Sequence, residues 1–427
     1  MAAPLLLITL VFCFGYLAIA LENSLRIDKA ALALLTGVLC WIIAAPLSGV
    51  AALEHSLGEI AAILFFLLGA MTIVELVDSY DGFAIITRHI RAGSQAGLLW
   101  ITGFFTFFLS AVLDNLTASI LMVSLLRKLV PDKSGRLFFA GIVVIAANAG
   151  GAWSPIGDVT TTMLWIGGQV TALAIIKTVL LPSLVCLAVP LAWLSWRLHG
   201  LPVTLASTCD LESDNDARIT ETQRRIVLLV GMGGLLFVPV FKTLTHLPPF
   251  MGMLLSLSIL WIVSELIQPD RDQAVDSGLH IVTVLKRIDT PSILFFLGIL
   301  LAVSALEATG LLHLAAQQLD ALVGNTHTII FLVGLLSAVV DNVPLVAAAI
   351  GMYDIQTFPV DHSLWTFLAY SAGTGGSCLI IGSAAGVAVM GMERISFLWY
   401  LRHISALALA GYGAGAVVYL LIYGMRG

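Results

Sequence analysis

The chain has 427 residues, of which 59% are apolar and only 11% charged, and its mean hydropathy is +1.02. Such values lie outside the range of soluble globular domains and suit a chain whose solvent is lipid. They leave no room for a large soluble domain and argue against nucleic-acid binding, while the net charge of −6 matters less than where the Lys and Arg residues fall.

In chain order, the first apolar run, 4–21, has no basic stretch before it and no small-residue cleavage site after it. It therefore reads as a membrane helix, not a signal peptide, and with no organelle transit sequence visible the expected location is a bacterial cytoplasmic membrane. Further runs at 29–46, 60–78, 137–166, 171–196, 226–244, 250–267, 292–309, 363–391 and 403–423 supply nine more crossings. The runs 98–113 with 116–130, and 327–350, differ because Asp114-Asn115 and Asp341-Asn342 divide them. Arms of about 15 residues are short for a bilayer, so each is expected to be a re-entrant hairpin with Asp-Asn at its tip. Cys13, Cys40, Cys186, Cys209 and Cys378 have no pairing or metal-ligand spacing and imply no disulfide framework.

With hairpins that return to their own side and an external N-terminus, seventeen of the twenty Lys and Arg residues fall on the cytoplasmic side. Among them are Arg26, Lys29, Arg88, Arg91, Arg127, Arg136, Arg218, Arg271, Arg287 and Arg402, whereas Lys177, Lys242 and Arg426 dissent. The excess predicts ten spans, two hairpins and both termini outside. The polar connection 198–225, with Asp210, Glu212, Asp214 and Asp216, reads as a solvated cytoplasmic linker between halves 1–197 and 226–427.

Those halves share sequence. Ile63-Leu64-Phe65-Phe66-Leu67 recurs as Ile293-Leu294-Phe295-Phe296-Leu297, and Leu109 through Asn115 recurs as Leu336 through Asn342 with six of seven residues identical. Gly150-Gly151 through Ile156-Gly157 then matches Gly375-Gly376 through Ile381-Gly382. Three matches in the same order indicate an internal duplication. Five spans and one hairpin per copy, an odd number of crossings, turn the second copy over. The expected fold is an all-α polytopic membrane protein of two inverted repeats, with helices broken at the midplane near 148–158 and 371–377.

Asp114 and Asp341 are acids at membrane depth, each costing roughly 3 kcal/mol on insertion scales if unpaired. They can hold a cation at symmetric tips, or cap the helices that follow, or both. Asn115 and Asn342 add neutral oxygens. Asp158 follows the Gly-Pro break and precedes Thr160, Thr161 and Thr162, a cluster of oxygens that suits an alkali cation better than a soft metal, unless Asp158 merely caps the half-helix that follows. Asn148, Ser371, Thr374, Ser377 and Ser383 are further candidates, with hydrogen bonds that join membrane helices as the alternative reading. Glu75 and Glu307 lie late in partner spans and are candidate proton relays or interfacial residues. A carboxylate that can hold either a proton or sodium suffices to couple the two in opposite directions.

The segments Ala70 through Asp78, Leu113 through Thr117, Asn148 through Thr162, Asp341-Asn342-Val343-Pro344 and Ser371 to Gly386 together resemble the NhaD-type sodium/proton antiporters. These belong to the Ion Transporter superfamily, which also holds arsenite permeases and dicarboxylate transporters. The resemblance implies exchange of Na+ or Li+ for H+, a scaffold and a mobile transport domain in elevator-like motion, a homodimer, and no cofactor. By position, the functional polar residues it implies are Glu75, Asp114, Asn148, Asp158, Thr160, Asp341, Asn342 and Ser371. Gln169 stands where histidine is common in the family, so the resemblance does not carry the family's pH sensitivity over to this chain. Dicarboxylate transport fits poorly, because Asp114 and Asp341 would repel the substrate and no core Arg or Lys is available to bind it. An arsenite permease is the nearer alternative. An intramembrane aspartyl protease fits worst, because Pro155-Ile156-Gly157-Asp158 has proline where Gly-x-Gly-Asp needs glycine; a transporter, not an enzyme, is expected.

Overall fold

The computed structural model describes residues 2–20, 25–83, 85, 94–130, 132–198, 219–268, 279 and 281–424. Arg88, Arg91, Arg218, Arg271, Arg426, Cys209 and the acidic run of the 198–225 linker lie outside these residues.

The described residues form nineteen α-helices. The first half contains α1 (Ala2–Ala20), α2 (Lys29–Ser48), α3 (Val50–Ser79), α4 (Gln95–Leu113), α5 (Asn115–Leu129), α6 (Lys133–Ala152), α7 (Val159–Ile166) and α8 (Ala172–Arg197). After the linker come α9 (Glu221–Thr245), α10 (Pro249–Leu266), α11 (Ile281–Leu285), α12 (Thr290–Ala308), α13 (Leu311–Val323) and α14 (Thr326–Leu336). The chain closes with α15 (Asn342–Met352), α16 (Ser363–Gly375), α17 (Ala384–Glu393), α18 (Phe397–His403) and α19 (Ser405–Ile422). Among the described residues nine helices are long and apolar enough to cross a membrane. Phe14, Ile42, Leu229, Leu266 and Leu421 are all more than 60% exposed, as expected of side chains that face lipid.

Three sequence expectations need correction. The arms of the first hairpin are unequal: α4 has 19 residues and passes as a span by length and apolarity, α5 has 15, and both arms of the second hairpin have 11. Helix α3 begins at Val50, not near 60, because Glu54, His55 and Glu59 continue the same helix beyond its apolar stretch. Helix α13 was not foreseen: Gln317, Gln318 and Asp320 interrupt its hydropathy, only Leu312 and Ala316 are buried, and it meets α14 at 112°.

Two apolar cores organise the helices. The larger draws on α3 to α11 and α13 to α19. The smaller joins α1, α2, α3 and α12, and Met163 of α7 and Val343 and Ala347 of α15 pack into it. Helix α7, after the first break, and α15, after the second tip, thus bridge the cores.

Equivalent positions of the two halves make equivalent contacts. Ser110 donates to the carbonyl of Ala147 at 2.6 Å, and Ser337 to that of Ala372 at 2.9 Å. A Cβ on Gly150 would lie 2.1 Å from the Phe107 carbonyl oxygen, and one on Gly375 would lie 1.9 Å from that of Gly334. Only glycine lets each hairpin arm approach its broken helix this closely.

The ends of the half-helices are pinned differently. The Glu393 carboxylate closing α17 is 1% exposed and takes Arg127 Nε at 2.7 Å and Arg136 Nε at 2.9 Å. At the far end of α7, Asp361 accepts from the N–H and hydroxyl of Thr171 at 2.6 and 2.9 Å. Lys242, which dissented from the charge rule, has a local reason for its place. Its ammonium donates to the Trp165 carbonyl at 2.8 Å and lies 4.8 Å from the centre of that indole, capping the negative end of α7.

Candidate functional site

Four helix starts converge. Asp114 caps α5, Asp158 caps α7, Asp341 caps α15 and Ser383 caps α17, each accepting from a backbone N–H of its own first turn. The partial positive ends of four helices thus surround a carboxylate group, which lowers the cost of charge there.

Asp158 is the centre, and it is 2% exposed. Its Oδ1 accepts from the N–H of Thr160 at 2.9 Å and from the Thr160 hydroxyl at 2.8 Å. Its Oδ2 accepts from Asn115 Nδ2 at 2.6 Å, and Asn342 Nδ2 lies 3.4 Å from both oxygens. Asn115 Nδ2 also donates to Asn148 Oδ1 at 3.1 Å, and Asn148 Nδ2 donates to Ser383 Oγ at 2.9 Å. One connected network therefore holds both hairpin tips, both broken helices and one buried carboxylate.

Of the residues expected from sequence, the structure joins Asn115, Asn148, Asp158, Thr160 and Asn342. Asp114 and Asp341 flank the cluster and bear electrostatically on Asp158, but their oxygens serve as caps. Asp114 Oδ1 and Oδ2 accept from the Thr117 N–H and hydroxyl, both at 2.8 Å, whereas Asp341 Oδ1 accepts from the Val343 N–H at a long 3.5 Å. The tip asparagines, not the tip aspartates, touch the central carboxylate.

Other expected residues do not join. Thr161 and Thr162 donate to the carbonyls of Ser154 and Pro155 at 2.7 and 3.0 Å, so their hydroxyls close carbonyls that the break had freed. Thr374 donates to Tyr370 of its own helix at 2.6 Å, and Ser371 is buried in α16 without a hydrogen bond to the cluster. Glu75 sits near the end of α3, with Arg287 at 4.0 Å. Glu307 lines a cavity of about 700 Å³ together with His55, Glu59, His313, Met163 and Ala347. Met163 and Ala347 stand roughly 7.5 Å along their helices from Asp158 and Asn342 at 1.5 Å rise per residue, so the cavity wall includes α7 and α15 between one and two turns from the cluster.

Two residues acquire parts that the sequence did not assign. Ser383, one of several small polar candidates, is the far terminus of the network. Lys29, read only as a topological charge, is half-buried with its ammonium 4.7 Å from the Phe295 ring centre and bears electrostatically on Asp341. The proximity of a cation to the tip aspartate is invisible without the fold.

Comparison with known proteins places this geometry in context. The family model described as citrate transporter matches residues 16–367. Sodium/proton antiporter 1 of Arabidopsis thaliana is 49% identical over 427 residues, covering 98% of this chain and 72% of that protein. Sodium/proton antiporter 2 of the same plant is 47% identical over 421 residues, covering 97% of this chain and 99% of that protein. The Na+/H+ antiporter NhaD of Vibrio cholerae is 32% identical over 448 residues, covering 97% of this chain and 91% of that protein.

Proposed function

The chain belongs to the NhaD-type sodium/proton antiporters of the Ion Transporter superfamily, and on that premise we propose that it exchanges Na+, or Li+, for H+ at Asp158. The observation that carries the reading is the single carboxylate on which amides from both hairpin tips converge. A carboxylate removed from water must be compensated, and a proton and a small hard cation are alternative ways of doing so. Binding of either displaces the other, which is the elementary condition for antiport.

Asp114 and Asp341 supply further negative charge around the ion, and Thr160, Asn115 and Asn342 supply neutral oxygens once their amides face it. Hard alkali ions favour such all-oxygen surroundings. A tricarboxylate would meet three aspartates at the same place, so the cation reading is preferred over the anion named in the family description. The half-helices bridging the two cores are the segments that would travel with the ion in an elevator-like movement against α1, α2, α3 and α12. We include in the proposal the inverted repeats at 1–197 and 226–427, external termini and a homodimer.

The test is exchange in everted membrane vesicles, adding Na+, Li+ and K+ in turn to a preformed proton gradient across a pH range. Dissipation by Na+ and Li+, lost in Asp158→Asn at unchanged protein level, is the expected result. Equal dissipation by the Asn variant would remove Asp158 from the reaction.

A further inference from the structure

Asp158 and Ser383 occupy equivalent places, each capping the half-helix after its break, with nearly the same backbone (φ −148, ψ 145 and φ −146, ψ 153). The duplication has kept the conformation and changed the side chain. One copy bears the charge; what the other does follows from its partners.

In the observed arrangement the hydrogen bonds diverge from the Asn115 amide, toward Asp158 on one side and through Asn148 to Ser383 on the other. Asn148 Nδ2 donates to Ser383 Oγ at 2.9 Å, Asn115 Nδ2 donates to Asn148 Oδ1 at 3.1 Å, and the same Asn115 nitrogen donates to Asp158 Oδ2 at 2.6 Å. Ser383 Oγ also accepts from the Gly386 N–H at 3.1 Å. This polarity stabilises a bare carboxylate, but it presents an N–H where a cation beside Asp158 requires an oxygen.

A reversed arrangement uses the same atomic positions. If both amides turn over, Asn115 presents Oδ1 toward Asp158 and accepts from Asn148 Nδ2, and Asn148 Oδ1 then faces Ser383. That last contact survives only if residue 383 can donate. A hydroxyl can accept or donate in the same place, whereas a carboxylate can only accept and a methyl group can do neither. Because buried amides left facing like groups are costly, the three residues must reverse together.

We infer that Ser383 is a positioning residue whose hydroxyl, by exchanging acceptor for donor, lets Asn148 and Asn115 turn from stabilising bare Asp158 to coordinating the transported cation. The inference rests on the sodium/proton reading and names a regulating residue for it. No covalent step and no backbone displacement is involved. It also accounts for serine opposite aspartate: a second carboxylate at 383 would hold the network in the donor polarity.

The experiment compares wild type with Ser383→Thr, Ser383→Ala and Ser383→Asp, purified at full length. Half-saturating Na+ is measured both for exchange in proteoliposomes and for the cation-induced rise in Tm in detergent, with choline as control. Thr keeps the hydroxyl and should stay within about twofold of wild type. Ala, which leaves one buried amide unsatisfied, and Asp, which fixes the polarity, should each raise half-saturating Na+ by about tenfold or more, the factor that 1.4 kcal/mol represents. A purely structural cap predicts the opposite for Asp, since aspartate caps helices as well as serine does. Wild-type half-saturation in the Asp variant, whatever the Ala variant does, overturns the inference. If wild type itself neither exchanges nor is stabilised by Na+, the sodium reading fails; the Tm series with Li+ and K+ then judges the relay for whichever cation binds, and loss of the Thr/Asp distinction there overturns it.

Discussion

The two hairpin tips are near-identical in sequence and different in conformation. At the first, Asp114 has φ 121 and ψ 160, a region that disfavours side chains, and both its carboxylate oxygens are engaged by Thr117. At the second, Asp341 has φ −48 and ψ 139, an ordinary conformation, and accepts from the Val343 N–H at a long 3.5 Å. Position 344 is proline where the first tip has Thr117, so the second tip lacks the hydroxyl that captures the first carboxylate. The same motif therefore places a committed cap on one side and a less engaged carboxylate, near Lys29, on the other. The breaks differ in the same spirit, with Asp158 opposite Ser383. The breaks share one backbone arrangement and the tips do not, and a few differing side chains make the site asymmetric.

The sharpest way to break this comparison is to make the breaks alike. Asp158→Ser, copying the second half, should reduce Na+-driven proton movement by about a hundredfold or more, the factor that roughly 3 kcal/mol represents. Dequenching of a pH probe in vesicles measures it, and a variant with wild-type rate would show that the two caps are interchangeable.

Where the halves remain alike, they should fail alike. Gly150→Ala and Gly375→Ala each push a Cβ onto a backbone carbonyl, at 2.1 and 1.9 Å. Each should lose roughly 2–3 kcal/mol by overpacking, read as matched falls in Tm in detergent. If one variant were tolerated and the other not, the close approach would be structural in one half only.

The tips should separate under one conservative change. Asp341→Asn removes a charge with little capping to lose, and should raise half-saturating Na+ by about tenfold, equivalent to 1.4 kcal/mol. Asp114→Asn keeps an acceptor for the Thr117 N–H and should cost about threefold, within the few tenths to 1 kcal/mol of a weakened cap. Equal losses in the two variants would mean that both carboxylates meet the ion directly.

The smallest effect concerns the connection before α16. His362 Nδ1 accepts from the Leu364 N–H at 3.1 Å, its ring packs edge-on against Phe358, and burial lowers its pKa from the ordinary histidine value. Protonation at Nδ1 removes the cap. Since the folded pKa lies below the unfolded value of about 6.5, this contribution is fully present above about pH 6.5 and is lost as pH falls through the folded pKa. His362→Asn, which caps without titrating, should flatten a change of about 1 kcal/mol or less in stability. Thermal unfolding from about pH 5 to 8 reads it, and an unchanged slope in the variant would place the pH dependence elsewhere.

Sequence alone determined the solvent, the helical class, the two Asp-Asn motifs and the Gly-Pro break, and it singled out Asp158 as a candidate. These are local properties: apolar run length measures bilayer thickness, and repeated motifs are visible without coordinates. Tertiary structure decided which atoms meet. Asn115 and Asn342, one residue beyond the predicted tip acids, reach the central carboxylate because the tip backbone turns the aspartates back onto their own helices. Thr161 and Thr162 looked like ligands beside Asp158, yet they close the carbonyls of Ser154 and Pro155. Lys242 contradicted the charge rule until the end of α7 was found beneath it, and Ser383 was one serine among several until Asn148 was found against it. The physical reason is common to all of these. Hydropathy and spacing set which residues enter the membrane, but hydrogen-bond partners across 184 to 235 residues of chain depend on helix placement to within an ångström, and no local pattern carries that information.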